Sequence, residues 1–396
     1  MDPFGRLPWF VLQNTLSNLP DLPSLHSLHD ASPEVAAFLH RNNDIFAQIV
    51  DAIIGDPVRG ERGLVPHVQD TVRLVILVWS RQKATGLTQE PGTDIHGSLQ
   101  YVRERSPLEA QPMLKAISPS TPSAILCQLL SLMARLRCLT HACFHSMIAR
   151  CLKLQVEHLP KKMRYYNNHL TRPILDRSRR PQGIPYTPVD IGPPTWIEEQ
   201  RLLSSLLCIV LFYELRKSYF ECSVITEDRE SVWVLLDDNV EGFWNTILRK
   251  YNDGQVEQIA TILHWMDDQA GGHENIYSWL LSGGISEDYS HCCQHYTSVT
   301  DDQWAEAENN VNSGRSSRGM KCLWRCKSHL LSPLKCLDYS VFRSYGLVFW
   351  DGIRMDALGF PGTQNVQEMW FAWSSILTEQ DWEEMLRRQS SIATAN

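Results

Sequence analysis

The sequence lacks the motifs by which common enzyme classes bind nucleotides or activate a nucleophile. It contains no G-x-x-x-x-G-K-[S/T], no G-x-G-x-x-G and no G-x-S-x-G segment. Adjacent carboxylates occur at Asp237-Asp238, Asp267-Asp268 and Asp301-Asp302. Such pairs near helix ends are more often solvated caps than a general acid and base in different environments. We therefore expect a protein that is not an enzyme.

Long hydrophobic runs and a surplus of basic charge are absent too. The longest apolar run, residues 206–213, is far shorter than a membrane span. The first ten residues, MDPFGRLPWF, lack the basic and apolar regions of a signal peptide. The net charge of −8 argues against general nucleic-acid binding. We expect no membrane and no nucleic acid among the partners.

The cysteines and glycosylation signals bear on the compartment. The chain has eleven cysteines at irregular spacings and no N-x-[S/T] sequon. An odd, irregular set in a long chain favours free thiols in a reducing environment. We therefore expect a cytoplasmic or nuclear protein.

Helical periodicity dominates what the sequence does contain, whereas strand patterns are sparse. A composition of 43% hydrophobic and 21% charged residues is ordinary for a chain that buries a core. One long helix or a helix pair is predicted from residue 123 to about residue 159, and Thr195 and Glu198 match a capping box that begins another helix. Residues 160–194, rich in proline and basic residues, are predicted to be mostly irregular. Further helices are predicted at 43–54, 66–81, 227–236, 242–250, 255–268, 274–281, 301–312, 320–331, 335–345 and 366–389. The fold class predicted is all-α.

Residues 7–39 carry the clearest local signals. Pro8 suits the first position of a helix, and Asp21 and Ser32 are cap residues that precede an early proline. Leucines recur at helical spacing, so three short helices are predicted. A unit of this size leaves much of its surface exposed, and these leucines must therefore pack on the following chain, on a partner, or on both.

This stretch resembles an F-box, in the variant found in a large group of fungal F-box-like proteins. The resemblance is carried by Leu7-Pro8, by Leu19-Pro20-Asp21-Leu22 and by the leucine ladder through Leu28 to Ala31-Ser32. Two positions depart from the usual pattern: Trp9-Phe10 follow Leu-Pro where an acidic residue is usual, and Val35-Ala36 replace a Trp-Arg pair. In that family the three helices dock on the Skp adaptor of a cullin-RING ubiquitin ligase, and the remaining chain selects a protein substrate.

Two later stretches are similar to segments that recur in the same fungal proteins. They are residues 192–201, GPPTWIEEQR, and residues 345–359, YGLVFWDGIRMDALG. The resemblance implies an F-box-like unit at residues 1–55, packed on a large helical, substrate-binding region at residues 56–390. It implies a non-catalytic substrate receptor that needs no cofactor. The alternative is a helical scaffold whose box has become part of its own core.

The residues expected to contact the adaptor are apolar and lie in the box. They are Leu7, Pro8, Leu12, Leu16, Leu19, Pro20, Leu22, Leu25 and Leu28.

Three Cys/His clusters are candidate metal sites, but none shows the arrangement typical of structural zinc. Residues 322, 326 and 329 (Cys, Cys, His) share one helix face, with Cys336 nearby. A second cluster comprises His291, Cys292, Cys293 and His295, and a third His141 and His145 with Cys138 one turn before. Structural zinc sites favour closely spaced pairs on turns with a distant second pair. Buried thiols and core histidines are the expected outcome, so no metal site is predicted.

Overall fold

The computed structural model describes residues 2–55, 63–84, 116–161, 180–221, 239–248, 253–282, 317–329, 332–360 and 366–395. Within these ranges it contains 15 helices and one small two-stranded sheet, which confirms the all-α class. Two of the predicted helices, at 227–236 and 301–312, lie outside the described residues.

The helices of the first half follow closely the ranges expected from periodicity and caps. In chain order they and the two strands are α1 (Trp9–Ser17), α2 (Leu22–Ala31), α3 (Pro33–Arg41), α4 (Asn43–Gly55), α5 (Pro66–Ala84), α6 (Ser123–Cys151), β1 (Val156–His158), β2 (Ile184–Tyr186) and α7 (Trp196–Glu221). A 3₁₀ helix, Pro3–Arg6, precedes α1.

The second half is built from shorter helices. They are α8 (Val240–Leu248), α9 (Asp253–Ala270), α10 (Ile276–Ser282), α11 (Arg318–Ser328), α12 (Ser340–Arg343), α13 (Gly352–Ala357), α14 (Val366–Ser375) and α15 (Glu379–Ala395). A 3₁₀ turn, His273–Asn275, leads into α10.

The chain divides into two compact units. The first consists of Met1–Ala142, Pro194–Ile259 and Met266–Arg315, and the second of Cys143–Pro193, Ala260–Trp265 and Ser316–Asn396. The first unit therefore includes the described part of residues 1–55.

The core of the first unit is centred on the packing of α5 against α7. Both helices are apolar around most of their circumference, which is typical of helices buried on several sides. The capping box at the start of α7 forms as predicted: Thr195 N–H donates to Glu198 Oε2 at 3.0 Å, and Glu198 N–H donates to Thr195 Oγ1 at 3.4 Å. Trp196 also donates from Nε1 to the carbonyl of Gly63 at 3.0 Å. This hydrogen bond ties the segment just before α5 to the start of α7.

The second unit is organised around a buried arginine. Arg354 on α13 is 1% exposed, and its guanidinium donates to the carbonyl oxygens of Gly192 at 3.2 Å and Pro193 at 2.7 Å. The same group lies 4.7 Å from the ring centroid of Phe144. Asp351 caps α13 by accepting from the Arg354 N–H at 3.1 Å. Arg354, in the stretch 345–359, thus binds the first two residues of the stretch 192–201, so both stretches have a structural role.

Several boundaries differ from the sequence-based predictions, each for a local reason. The helix predicted to reach residue 159 ends at Cys151, because residues 156–158 pair with residues 184–186 as antiparallel strands. The helix predicted over 366–389 is interrupted, since Thr378 and Asp381 form a second capping box (Thr378 N–H to Asp381 Oδ2, 2.8 Å). The helix predicted over 335–345 is reduced to Ser340–Arg343, and α13 was not predicted.

Helix α6 is long and apolar enough to cross a membrane by length and composition. Half of its most apolar window is buried inside the protein, and core helices of water-soluble proteins pass the same test.

Candidate partner-binding site

The three short helices of the predicted box are present, and their caps work as the sequence indicated. Asp21 accepts the Ser24 N–H at 2.7 Å and begins α2, while Ser32 accepts the Val35 N–H at 3.2 Å and begins α3. Pro8 lies one position earlier than expected, as the N-cap of α1 rather than its first helical residue. Each helix start is therefore set by residues in its own first turn.

Four of the nine candidate adaptor contacts are buried in the protein's own core. Leu12 is 4% exposed, Leu22 is 2% exposed, and Leu16 and Leu25 are fully buried. Helix α1 packs on α4, and α2 packs on both α3 and α4, which accounts for this burial. In this conformation these four leucines hold the helices in place and are inaccessible to a partner.

The other five candidates remain at least partly accessible. Leu7, Pro8 and Pro20 are exposed, and Leu19 and Leu28 are half-buried. The surface open to a partner therefore lies at the start of α1 and at the α1–α2 junction.

Sequence reasoning missed the most exposed apolar residues of the region. Trp9 is 62% and Phe10 is 58% exposed, and Leu7 beside them is 39% exposed. The two aromatic rings contact edge to face, with centroids 6.0 Å apart. Residues 7–10 thus form a continuous apolar surface, which we call the Leu7–Phe10 patch. The departure from the F-box pattern at these positions was the signal that could have identified them.

The side-chain carboxylate of Asp2 fixes the segment that precedes the Leu7–Phe10 patch. One oxygen of Asp2 accepts from the Phe4 N–H at 2.9 Å, and the other accepts from the Ser32 hydroxyl at 2.6 Å and the Glu34 N–H at 3.1 Å. The hydrogen bond from Ser32 holds the pKa of Asp2 below its ordinary value. The carboxylate therefore ties the 3₁₀ helix to the positive N-terminus of α3.

A cleft opens beside the α1–α2 junction. At its edge Asp21 and Arg137 form an ion pair at 2.9 Å, with both side chains 14% exposed. Its lining combines the α1–α2 junction with residues of α4, α6 and α7 and of the segment before α5: Pro20, Asp21, Leu22, Pro23, Ile53, Leu64, Met133, Arg137, Thr140, Trp196, Glu199, Gln200 and Leu203. Of the predicted adaptor contacts, the exposed Pro20 therefore borders a concave surface, whereas Leu22 is in its lining but is 2% exposed.

The structure does not bring the Cys322 cluster together as a set of metal ligands. Cys322 and Cys326 are buried, and desolvation raises the pKa of both thiols. His329 ends α11 and packs edge to face on Trp370, with centroids 5.1 Å apart. Within the described residues, no group of three converging ligands includes these side chains.

Within the part of the chain that the structure describes, His141 and His145 belong to no group of three converging ligands. His141 is 2% exposed and lies 3.7 Å from Glu199 Oε1, and His145 packs edge to face against Phe144. The cluster at residues 291–295 lies outside the described residues.

Comparison with known proteins returns no match among protein-family models, curated proteins or solved structures.

Proposed function

We propose that the chain is an F-box-like substrate receptor that binds a Skp-type adaptor through the Leu7–Phe10 patch and the neighbouring α1–α2 junction. The observation that carries this proposal is the exposure of Trp9 and Phe10 side by side at a helix start. Large exposed apolar side chains that form a patch are typical of protein–protein contacts, and aromatic residues are enriched at their centres.

The buried leucines support the same proposal by making the surface rigid. Because Leu12 and Leu16 anchor α1 on the helices behind it, the side chains at its exposed start are held in place before a partner arrives. Preorganised contacts lose less entropy on binding and so favour affinity.

The helical region beyond residue 55 would then bind the protein substrate, and the chain itself would be non-catalytic. Exposed apolar side chains in the second unit suit such a contact, among them Ile184, Val189 and Ile191. The proposal places the protein in the cytoplasm or the nucleus, where cullin-RING ligases work.

The burial of Leu12, Leu16, Leu22 and Leu25 also favours a second function, a helical scaffold whose box serves its own core. This alternative predicts no binding of a Skp-type adaptor.

A pull-down of the full-length chain with a purified Skp-type adaptor separates the two. We expect the wild-type chain to retain the adaptor and the double variant Trp9→Ala, Phe10→Ala to bind it at least about thirtyfold more weakly, since loss of a central aromatic anchor costs about 2 kcal/mol or more. The Leu7→Ala, Pro8→Ala variant should weaken binding in the same direction.

The matched control is Trp324→Ala, because Trp324 is also 58% exposed but lies on α11 in the second unit. We expect this variant to bind like wild type. Absence of adaptor binding by the wild-type chain, or equal loss in the control, would rule out the adaptor proposal.

A further inference from the structure

Three side chains from three helices of the first unit direct nitrogen or sulfur atoms at one another. His29 lies in the last turn of α2, His40 near the end of α3, and Cys127 in the first turns of α6. The Cys127 Sγ is 3.7 Å from His29 Nε2 and 4.0 Å from His40 Nε2. Their ligand atoms all lie within 4.8 Å of one another.

Both imidazoles are oriented by a second partner on the opposite ring nitrogen. His29 Nδ1 is 3.0 Å from Asp30 Oδ1, and His40 Nδ1 is 3.2 Å from Ser123 Oγ. In the neutral tautomer that donates from Nδ1 to the Asp30 carboxylate, His29 Nε2 carries a lone pair and faces the sulfur. Metal-binding histidines typically have such an outer partner, which fixes the ring and its tautomer.

When both histidines donate from Nδ1, the single thiol proton cannot serve both Nε2 atoms. A thiol carries one proton, whereas the Nε2 atoms of both histidines lie at the same sulfur. If Ser123 accepts from His40 as Asp30 accepts from His29, two lone pairs compete for that proton. A cation at the centre would accept electron pairs from both nitrogens and from the sulfur.

We propose that His29, His40 and Cys127 bind a divalent transition-metal ion, with zinc as the ion that fits best. Tetrahedral zinc with a Zn–S bond of about 2.3 Å and Zn–N bonds of about 2.05 Å places sulfur and nitrogen about 3.6 Å apart. The observed separations of 3.7 and 4.0 Å differ from this by a few tenths of an ångström.

The coordination would keep one open position. His40 is exposed, while His29 and Cys127 are half-buried, so water can reach the fourth site. On binding, the Cys127 thiol proton passes to solvent and the thiolate coordinates the ion. With Asp30 nearby, the charges of the ion, the thiolate and the carboxylate sum to zero.

A reactive cysteine is the competing interpretation of this cluster. Burial, with a contribution from Asp30, raises the pKa of the Cys127 thiol, which is the opposite of what a nucleophilic or redox-sensing cysteine requires. The site is independent of the adaptor proposal, because it lies on α2, α3 and α6 and does not include the Leu7–Phe10 patch.

Titration of the full-length, reduced, metal-depleted protein with Co²⁺ tests the site. Tetrahedral Co²⁺ with a thiolate ligand absorbs in the visible and near ultraviolet. We expect these bands to saturate with one equivalent, to disappear when Zn²⁺ is added, and to be absent in Cys127→Ser. The matched control is Cys138→Ser, since Cys138 is also half-buried on α6 but outside the cluster; it should titrate like wild type.

Two further variants keep the test decisive. His40→Ala alters an exposed residue and should abolish the bands without unfolding the protein, so it replaces Cys127→Ser if that variant does not fold. Asp30→Asn removes the negative charge beside His29 Nδ1, together with the 3.5 Å contact of that carboxylate with His26, and should weaken Zn²⁺ affinity about 10- to 100-fold. The proposal is overturned if wild type shows no thiolate band at millimolar Co²⁺, if Cys127→Ser or His40→Ala retains it, or if Cys138→Ser loses it equally.

Discussion

Replacement of Leu16 by alanine tests whether the central part of the box is core. Leu16 is fully buried on α1, which packs against α4. The substitution removes three carbon atoms, each contributing about 0.8 kcal/mol of transfer free energy. The cavity left behind adds to this loss, and buried Leu-to-Ala changes typically cost about 3–5 kcal/mol. Since a folded domain is stable by only about 5–15 kcal/mol, such a loss is a large fraction of the total.

Urea unfolding of the full-length chain, followed by far-ultraviolet circular dichroism, measures this effect. We expect Leu16→Ala to shift the first transition to clearly lower urea. Trp9→Ala, which removes a 62% exposed side chain seven positions earlier, should change stability by about 0.5 kcal/mol or less. An unchanged midpoint for Leu16→Ala would show that α1 is not packed as described, and the distinction between buried leucines and an exposed patch would fail.

Three further predictions concern particular contacts. Arg354→Met should destabilise the second unit by about 1–3 kcal/mol in urea unfolding, because two part-buried carbonyls lose their charged donor; a more stable variant would contradict this role. Gly319→Ala should destabilise the same unit by about 1–3 kcal/mol, since an added Cβ would lie 1.6 Å from the Leu347 carbonyl oxygen and the backbone must move; wild-type stability would refute the close contact. Asp2→Ala should speed amide hydrogen exchange at Phe4, because alanine lacks the side-chain oxygen that accepts this N–H. Because the pKa of Asp2 is lowered, protection of the Phe4 amide in wild type should be complete above the ordinary value of 3.8 and should be lost as pH falls through the lowered pKa. Equal exchange in both proteins would argue against the hydrogen bond from Phe4 to Asp2.

Local chemistry made the helix starts predictable from sequence. Asp21, Ser32 and Thr195 each accept a backbone N–H within three residues of their own position, so the information for these caps is contained in four consecutive residues. The same reasoning could have found the break before α15, where Thr378 and Asp381 form an equivalent pair. A strong apolar period over 366–389 masked that signal.

Which apolar residues face the core depended on tertiary structure. The spacing of Leu12, Leu16, Leu19, Leu22 and Leu25 shows which of them share a helix face, but not which face meets a neighbouring helix. The packing of α1 and α2 on α4 buried four of these side chains and left Leu19 half-exposed. Trp9 and Phe10, which sequence reasoning passed over, became the most exposed apolar residues of the region for the same reason.

The His29–His40–Cys127 cluster also depended on the fold. Cys127 lies 98 residues from His29 and 87 from His40 in sequence, and no short motif links them. The sequence by itself determined the all-α class and the capped starts of α2, α3 and α7, because these depend on near neighbours along the chain. The accessible part of the box and the convergence of the three ligands were decided by long-range packing, which brings helices together that sequence spacing leaves unrelated.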